Sequence, residues 1–92
     1  NPELNLAGYV LFDTEHLPRF LEWKVMKSHD YVLALEPCNT WSLDRNTATE
    51  QGKIAILKAY ESIETGVEIG VLDGSDEIEA FIARWNMKEA SL

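Results

Sequence analysis

Glu36 is the residue whose type and position best suit chemistry: a carboxylate in Leu35-Glu36-Pro37-Cys38-Asn39, directly after an apolar run and directly before a proline. A proline pushes the residue ahead of it toward extended backbone, so Glu36 is predicted to end a strand as the chain turns off the sheet. A carboxylate at a sheet rim serves as a general base or as an acceptor for ligand hydroxyls, or it is simply solvated where a strand stops. Three candidate binding residues follow it. Asn39 either hydrogen-bonds a ligand hydroxyl or forms an Asx-type turn after Pro37. Trp41, in a polar loop, offers a flat apolar face on which a ligand ring can stack. Arg45 reaches an acidic ligand, pairs with Glu36 or is solvated.

Other chemistries find less support. Cys38 stands alone without a matched Cys–His arrangement, which reads as an inert, buried thiol rather than a nucleophile. His16, His29, Asp30 and Cys38 show no recognised ligand spacing, so neither metal nor cofactor is predicted. The single cysteine cannot close an internal disulfide, and a reducing, cytoplasmic setting is the simpler expectation. Sixteen acidic against eight basic residues give a net charge of −8, which opposes binding to phosphate backbones and to anionic membrane surfaces. Nucleic acid and membranes are therefore not expected partners. No apolar run approaches the roughly 18–20 residues of a spanning helix, and Asn1-Pro2-Glu3 carries neither a leader nor an initiator Met. The chain accordingly reads as part of a longer protein.

These residues must be positioned by strands. An apolar fraction of 46%, with three Trp, three Tyr and three Phe, predicts a folded domain rather than a disordered segment. Alternation of apolar and polar residues predicts strands near 19–26 and 63–72, and short apolar runs of β-preferring residues predict strands near 8–13, 30–36 and 53–59. In the second, Leu21, Trp23 and Val25 alternate with Glu22 and Lys24, which places Trp23 in the core. The third, Tyr31-Val32-Leu33-Ala34-Leu35, is apolar throughout and is predicted to be a central strand covered on both faces. Gly66 and Gly70 share one face of the last strand, which predicts a large neighbour over them or a bend. Lys27-Ser28-His29-Asp30 reads as a turn, and Thr47-Ala48-Thr49-Glu50 matches a capping box that starts one helical turn ending near Gly52. Ile78, Phe81, Ile82 and Trp85 recur at i, i+3, i+4, i+7 and predict an amphipathic helix near 76–87, its stripe covering its own sheet. No linker or repeat divides residues 1–92, so one unit is expected.

Several segments together resemble one family. Leu17-Pro18, Glu22-Trp23-Lys24, Asp30 through Asn39, Arg45, Gly52-Lys53 and Val67 through Leu72 resemble the aldose 1-epimerase-related branch of the galactose mutarotase-like superfamily. The resemblance covers about Leu17 to Gly74 and is most specific at Tyr31-Val32-Leu33-Ala34-Leu35-Glu36-Pro37-Cys38-Asn39. It implies an antiparallel supersandwich that binds a sugar on a concave sheet, of which this chain is the C-terminal portion. Glu36 then corresponds to the glutamate that removes the anomeric hydroxyl proton, while the histidines that protonate the ring oxygen lie outside this chain. Opening a hemiacetal needs a base at the anomeric hydroxyl and an acid at the ring oxygen together. His16 and His29 do not match the family's histidines and are not given that role. Lys58 through Ser62 also depart from the Pro-Gly-Glu turn that relatives carry there.

The expected fold is thus mainly β, an antiparallel sheet or sandwich with one C-terminal amphipathic helix. The expected function is the carbohydrate-binding portion of an aldose 1-epimerase-like isomerase, with Glu36 as general base and Asn39, Arg45 and Trp41 as substrate-binding residues. The isolated chain is expected to be inactive. The alternative is a non-catalytic carbohydrate-binding or assembly β-domain. A sugar is the expected ligand, and the rest of the parent sandwich, or a second copy paired through exposed strand edges, the expected partner.

Overall fold

In the computed structural model, which describes residues 1–85, the elements run β1 (Leu6–Phe12), β2 (Arg19–Lys27), β3 (Asp30–Cys38), α1 (Arg45–Glu50), β4 (Val67–Asp73) and α2 (Ser75–Arg84). The architecture is mainly β, as the alternating pattern predicts. Two antiparallel two-stranded sheets form, β1 with β4 and β2 with β3. The chain divides into two compact units, Asn1–Leu11 with the stretch from Glu68, and Phe12–Val67. No change in composition marks that division in the sequence.

The first unit is β1, β4 and α2. Its sheet closes where the Gly74 amide donates to the Asn5 carbonyl at 2.9 Å and the Ser75 hydroxyl donates to Asn5 Oδ1 at 3.1 Å. The predicted large neighbour over Gly70 is the Tyr9 ring, so close that a Cβ at Gly70 would collide with it. Gly66 faces open space. Tyr9 continues into Phe81 of α2, with ring centroids 4.8 Å apart, so the helix stripe does cover its own sheet. Ile78, Phe81 and Ile82 are half-buried, while Trp85 stays 46% exposed at the end of the stripe. Asp76 and Glu77 in the first turn and Arg84 in the last complement the helix dipole. Glu77 also accepts from the Asp73 amide at 2.7 Å. The helix ends at Arg84, short of the predicted 87; positions 86–87 lie outside the described residues.

In the second unit, β2 and β3 form a hairpin whose register runs from Arg19↔Cys38 to Lys27↔Asp30. The predicted polar turn is Ser28-His29, with His29 in the left-handed region at φ 69°. Lys27 and Asp30 close it with a 3.4 Å ion pair that is exposed and contributes little. β3 runs two residues past its predicted end, through Pro37 to Cys38. The ladder alternates bonded and non-bonded pairs outward from Lys27↔Asp30, so Pro37, opposite Phe20, falls in the non-bonded set. Its missing N–H would face away from β2, where a proline is tolerated. Glu36 is consequently within a strand and not at its end.

Two expectations about the sheet are corrected. β3 pairs only with β2 among the described residues and is an edge strand, not a central one. Phe20, Met26, Tyr31, Leu33 and Leu35 share one face of the hairpin, and Leu21, Trp23, Val25 and Val32 the other. Tyr31 is 72% and Trp23 55% exposed, so Trp23 is not a core residue here. The predicted strand near 53–59 is absent, and the strand predicted over 63–72 forms only over Val67–Asp73. Apolar alternation selects residues that suit a strand, but a ladder also needs a partner, and β1 supplies seven residues to match the seven of β4.

The short helix forms as expected, with a different cap. Asp44 accepts from the Thr47 amide at 3.0 Å and the Thr47 hydroxyl at 2.5 Å, so Thr47 is the third helical residue rather than the cap. At the other end Gly52 takes φ 67°, its amide donates to Thr49 O and the Lys53 amide donates to Ala48 O at 2.8 Å. This pair of bonds is a Schellman closure, which reverses the chain and delivers Lys53. Ala48, at 5% exposure, is the buried apolar residue of this unit.

Candidate functional site

The second unit contains a groove of about 440 Å³, a size suited to a small ligand. It is lined from three segments: Glu15, His16 and Pro18 before β2, Asn39 after β3, and Ala55, Ile56, Leu57, Glu61 and Ile63 from the irregular stretch that follows α1. The apolar run predicted as a strand thus becomes the apolar wall of the groove. Glu15, His16, Asn39 and Glu61 supply the hydrogen-bonding groups.

His16 is held in place by its own loop. Asp13 Oδ1 accepts from the Glu15 amide at 2.8 Å, its carbonyl accepts from the Leu17 amide at 2.9 Å, and Oδ2 lies 2.5 Å from His16 Nδ1. The carboxylate therefore folds the loop and orients the imidazole with one gesture, leaving Nε2 free of this bond. The hydrogen bond to Asp13 raises the His16 pKa above its ordinary 6.5, against a smaller opposing effect of desolvation. The same bond, followed by the Glu15 amide, holds the Asp13 carboxyl below its ordinary 3.8. An imidazole oriented by a carboxylate is of the type that can exchange a proton with a hydroxyl placed beside it.

Asp13, Glu15 and His16 also bring three potential ligand atoms within 4.8 Å of one another. A divalent cation could take such a set, although Nδ1 of His16 is already bonded to Asp13. The sequence pattern offered a signal for the pairing, since an acid three residues before a histidine in a polar loop favours a closed turn.

The predicted site residues separate. Asn39 lines the groove. Glu36 does not; it is exposed within β3, opposite Leu21. Arg45 opens α1 and pairs with neither Glu36 nor any other acid among the described residues. Trp41 is half-buried, with the Arg19 guanidinium 3.4 Å and the Lys53 ammonium 4.2 Å from its ring centroid. Cys38 is free and half-buried, its Sγ 3.6 Å from the Thr40 carbonyl.

The second unit of this mainly β chain thus carries a small groove with an oriented histidine and hydrogen-bonding side chains over an apolar wall. Residues 1–71 match a domain of unknown function, DUF4432, and the chain belongs to that family. No curated protein and no solved structure matches it. No helix among the described residues is long and apolar enough to cross a membrane.

Proposed function

We propose that this chain carries part of a carbohydrate-binding site whose chemistry is of the aldose 1-epimerase type. The observation that carries the reading is the groove: Asn39, His16, Glu15 and Glu61 offer donors and acceptors beside Ile56, Leu57 and Pro18, the mixture that a sugar's hydroxyls and C–H faces require. The resemblance of Tyr31 through Asn39 to galactose mutarotase-like proteins adds the reaction. On that reading the rest of the parent sandwich brings the sugar to Glu36, which lies outside the groove, and supplies the acid: Glu36 takes the anomeric hydroxyl proton, that acid protonates the ring oxygen, the ring opens, and reclosure gives the other anomer. A cytoplasmic setting belongs to the same reading, Cys38 being a free thiol.

Titration of the ¹⁵N-labelled protein with a neutral aldose tests the binding step. Resonances of His16, Asn39, Ile56 and Leu57 are expected to shift together, and shifts confined to residues away from the groove would defeat the assignment.

A second reading, an assembly β-domain, is favoured by the hairpin's exposed apolar residues on both faces and by the unpaired edge of β3. Tyr31, Leu33 and Leu35 belong to the non-bonded pairs, so their backbone groups point along that edge. Sedimentation is expected to show self-association that Leu33→Lys weakens; a monomer at all concentrations would count against this reading.

A further inference from the structure

Two positive charges converge on Trp41. Arg19, the first residue of β2, places Cζ 3.4 Å from the Trp41 ring centroid, and Lys53, delivered by the turn after α1, places Nζ 4.2 Å from the same point. The two cationic heads are therefore no further apart than twice the longer distance. Neither makes an ion pair among the described residues, in a chain with sixteen acids against eight bases. Lys24 and Lys27, by contrast, each have a carboxylate at 3.6 Å and 3.4 Å.

The arrangement is not explained by attraction among the groups present. An aromatic face attracts a cation, but two cations on one ring still repel each other. Arg19 also has a carboxylate close by in the register: Arg19↔Cys38 and Leu21↔Glu36 are neighbouring hydrogen-bonded pairs, so Arg19 and Glu36 project from one face of the hairpin. The guanidinium nevertheless stacks on Trp41. Stacking uses the flat face of the guanidinium and leaves its in-plane N–H donors free, the edge that grips a carboxylate or phosphate with two parallel hydrogen bonds. An anion placed there would neutralise both cations. Asn39, which lines the groove, precedes Trp41 by two residues.

We propose that Arg19 and Lys53, held by the Trp41 ring, form an anion subsite of the carbohydrate site, so that the ligand is an aldose bearing a carboxylate or a phosphate. The inference rests on the carbohydrate reading above and narrows its substrate class. Trp41 then serves to hold the cations rather than to stack a pyranose, since its ring is already engaged.

Calorimetric titration of the protein with glucose, glucuronate, glucose 6-phosphate and inorganic phosphate, with the Trp41 indole N–H followed by NMR, tests it. A charged sugar is expected to bind at least about tenfold tighter than glucose, as charge-assisted hydrogen bonds to two cations require. The preference should fall with added salt. It should collapse in Arg19→Gln and in Lys53→Gln and be only partly kept in Arg19→Lys, which retains the charge but not the paired donors. Whether glucuronate or glucose 6-phosphate is the tighter ligand separates carboxylate from phosphate. Equal affinity for glucose and its charged forms, or a preference that survives both Gln substitutions, overturns the anion subsite and leaves the carbohydrate reading standing. If no sugar binds but phosphate shifts the indole, and Arg19→Gln abolishes that shift, the anion site holds and the carbohydrate reading fails. No response to any of the four overturns both.

Discussion

Gly70→Ala probes the packing of the first unit at a single atom. Gly70 needs no special backbone angle, so the substitution is opposed only by space, and the space is taken by the Tyr9 ring. Inserting a methyl group into packed surroundings costs about 1–3 kcal/mol. Tyr9 is half-buried and can swing aside, which favours the lower end, but doing so gives up its contact with Phe81 at 4.8 Å, a pair contributing about 0.5–1.5 kcal/mol. Alanine recovers about 0.4–1 kcal/mol by restricting the unfolded chain. The net expectation is destabilisation by about 1 kcal/mol, which lowers the melting temperature of a domain this size by about 4–8 °C. Thermal unfolding followed by near-ultraviolet circular dichroism measures it, and the aromatic signal of Tyr9 should change with it. In a Tyr9→Ala background the alanine at position 70 should cause no loss. An unchanged or raised melting temperature in Gly70→Ala alone, or a loss that persists without the Tyr9 ring, would refute the packing argument.

Asp13→Asn should lower the His16 titration midpoint toward its ordinary 6.5, because the hydrogen bond that raises it is weakened; an NMR titration in which the midpoint does not move would show that Asp13 does not hold the ring. Since the folded His16 pKa is raised, its contribution to stability is fully present below pH 6.5 and is lost as pH rises through the folded value. Asp13 and Asp44 are lowered, by hydrogen bonds from His16 and Thr47 respectively, so their contribution is present above pH 3.8 and is lost as pH falls through their folded values. Asp44→Ala should remove the cap of α1, read as faster exchange of the Thr47 amide at neutral pH, and a fully protected amide would count against the cap.

Local patterning was readable where a segment's partner lies next to it in the chain. The β2–β3 hairpin, its Ser28-His29 turn and α2 each carry their signal within a few residues, and all three form. Even the contact over Gly70 was implied by an alternating strand with glycine on one face. The failures share a different cause. Ile54 through Leu57 and Ile63 through Thr65 alternate as strands do, but nothing in their own sequence reveals whether a ladder partner exists. Tyr31 through Leu35 reads as a covered central strand for the same reason: its apolar residues state what would suit both faces, not what is there. Asn39 lines the groove because it follows β3 where the chain turns off the sheet. The Asp13–His16 pair was missed because its importance comes from a groove built by residues as distant as Ile63, and the cations on Trp41 because Arg19 and Lys53 are brought to it only by the hairpin register and the Gly52 turn.

The proposed reaction begins with removal of the anomeric hydroxyl proton of a bound aldose by Glu36 as base. Saturation-transfer NMR of anomer exchange tests it most directly, comparing the protein with Glu36→Gln across neutral and charged aldoses. With the rest of the parent sandwich present, anomer exchange is expected that Glu36→Gln abolishes while the sugar still shifts the groove resonances. Exchange that continues unchanged in Glu36→Gln would contradict it.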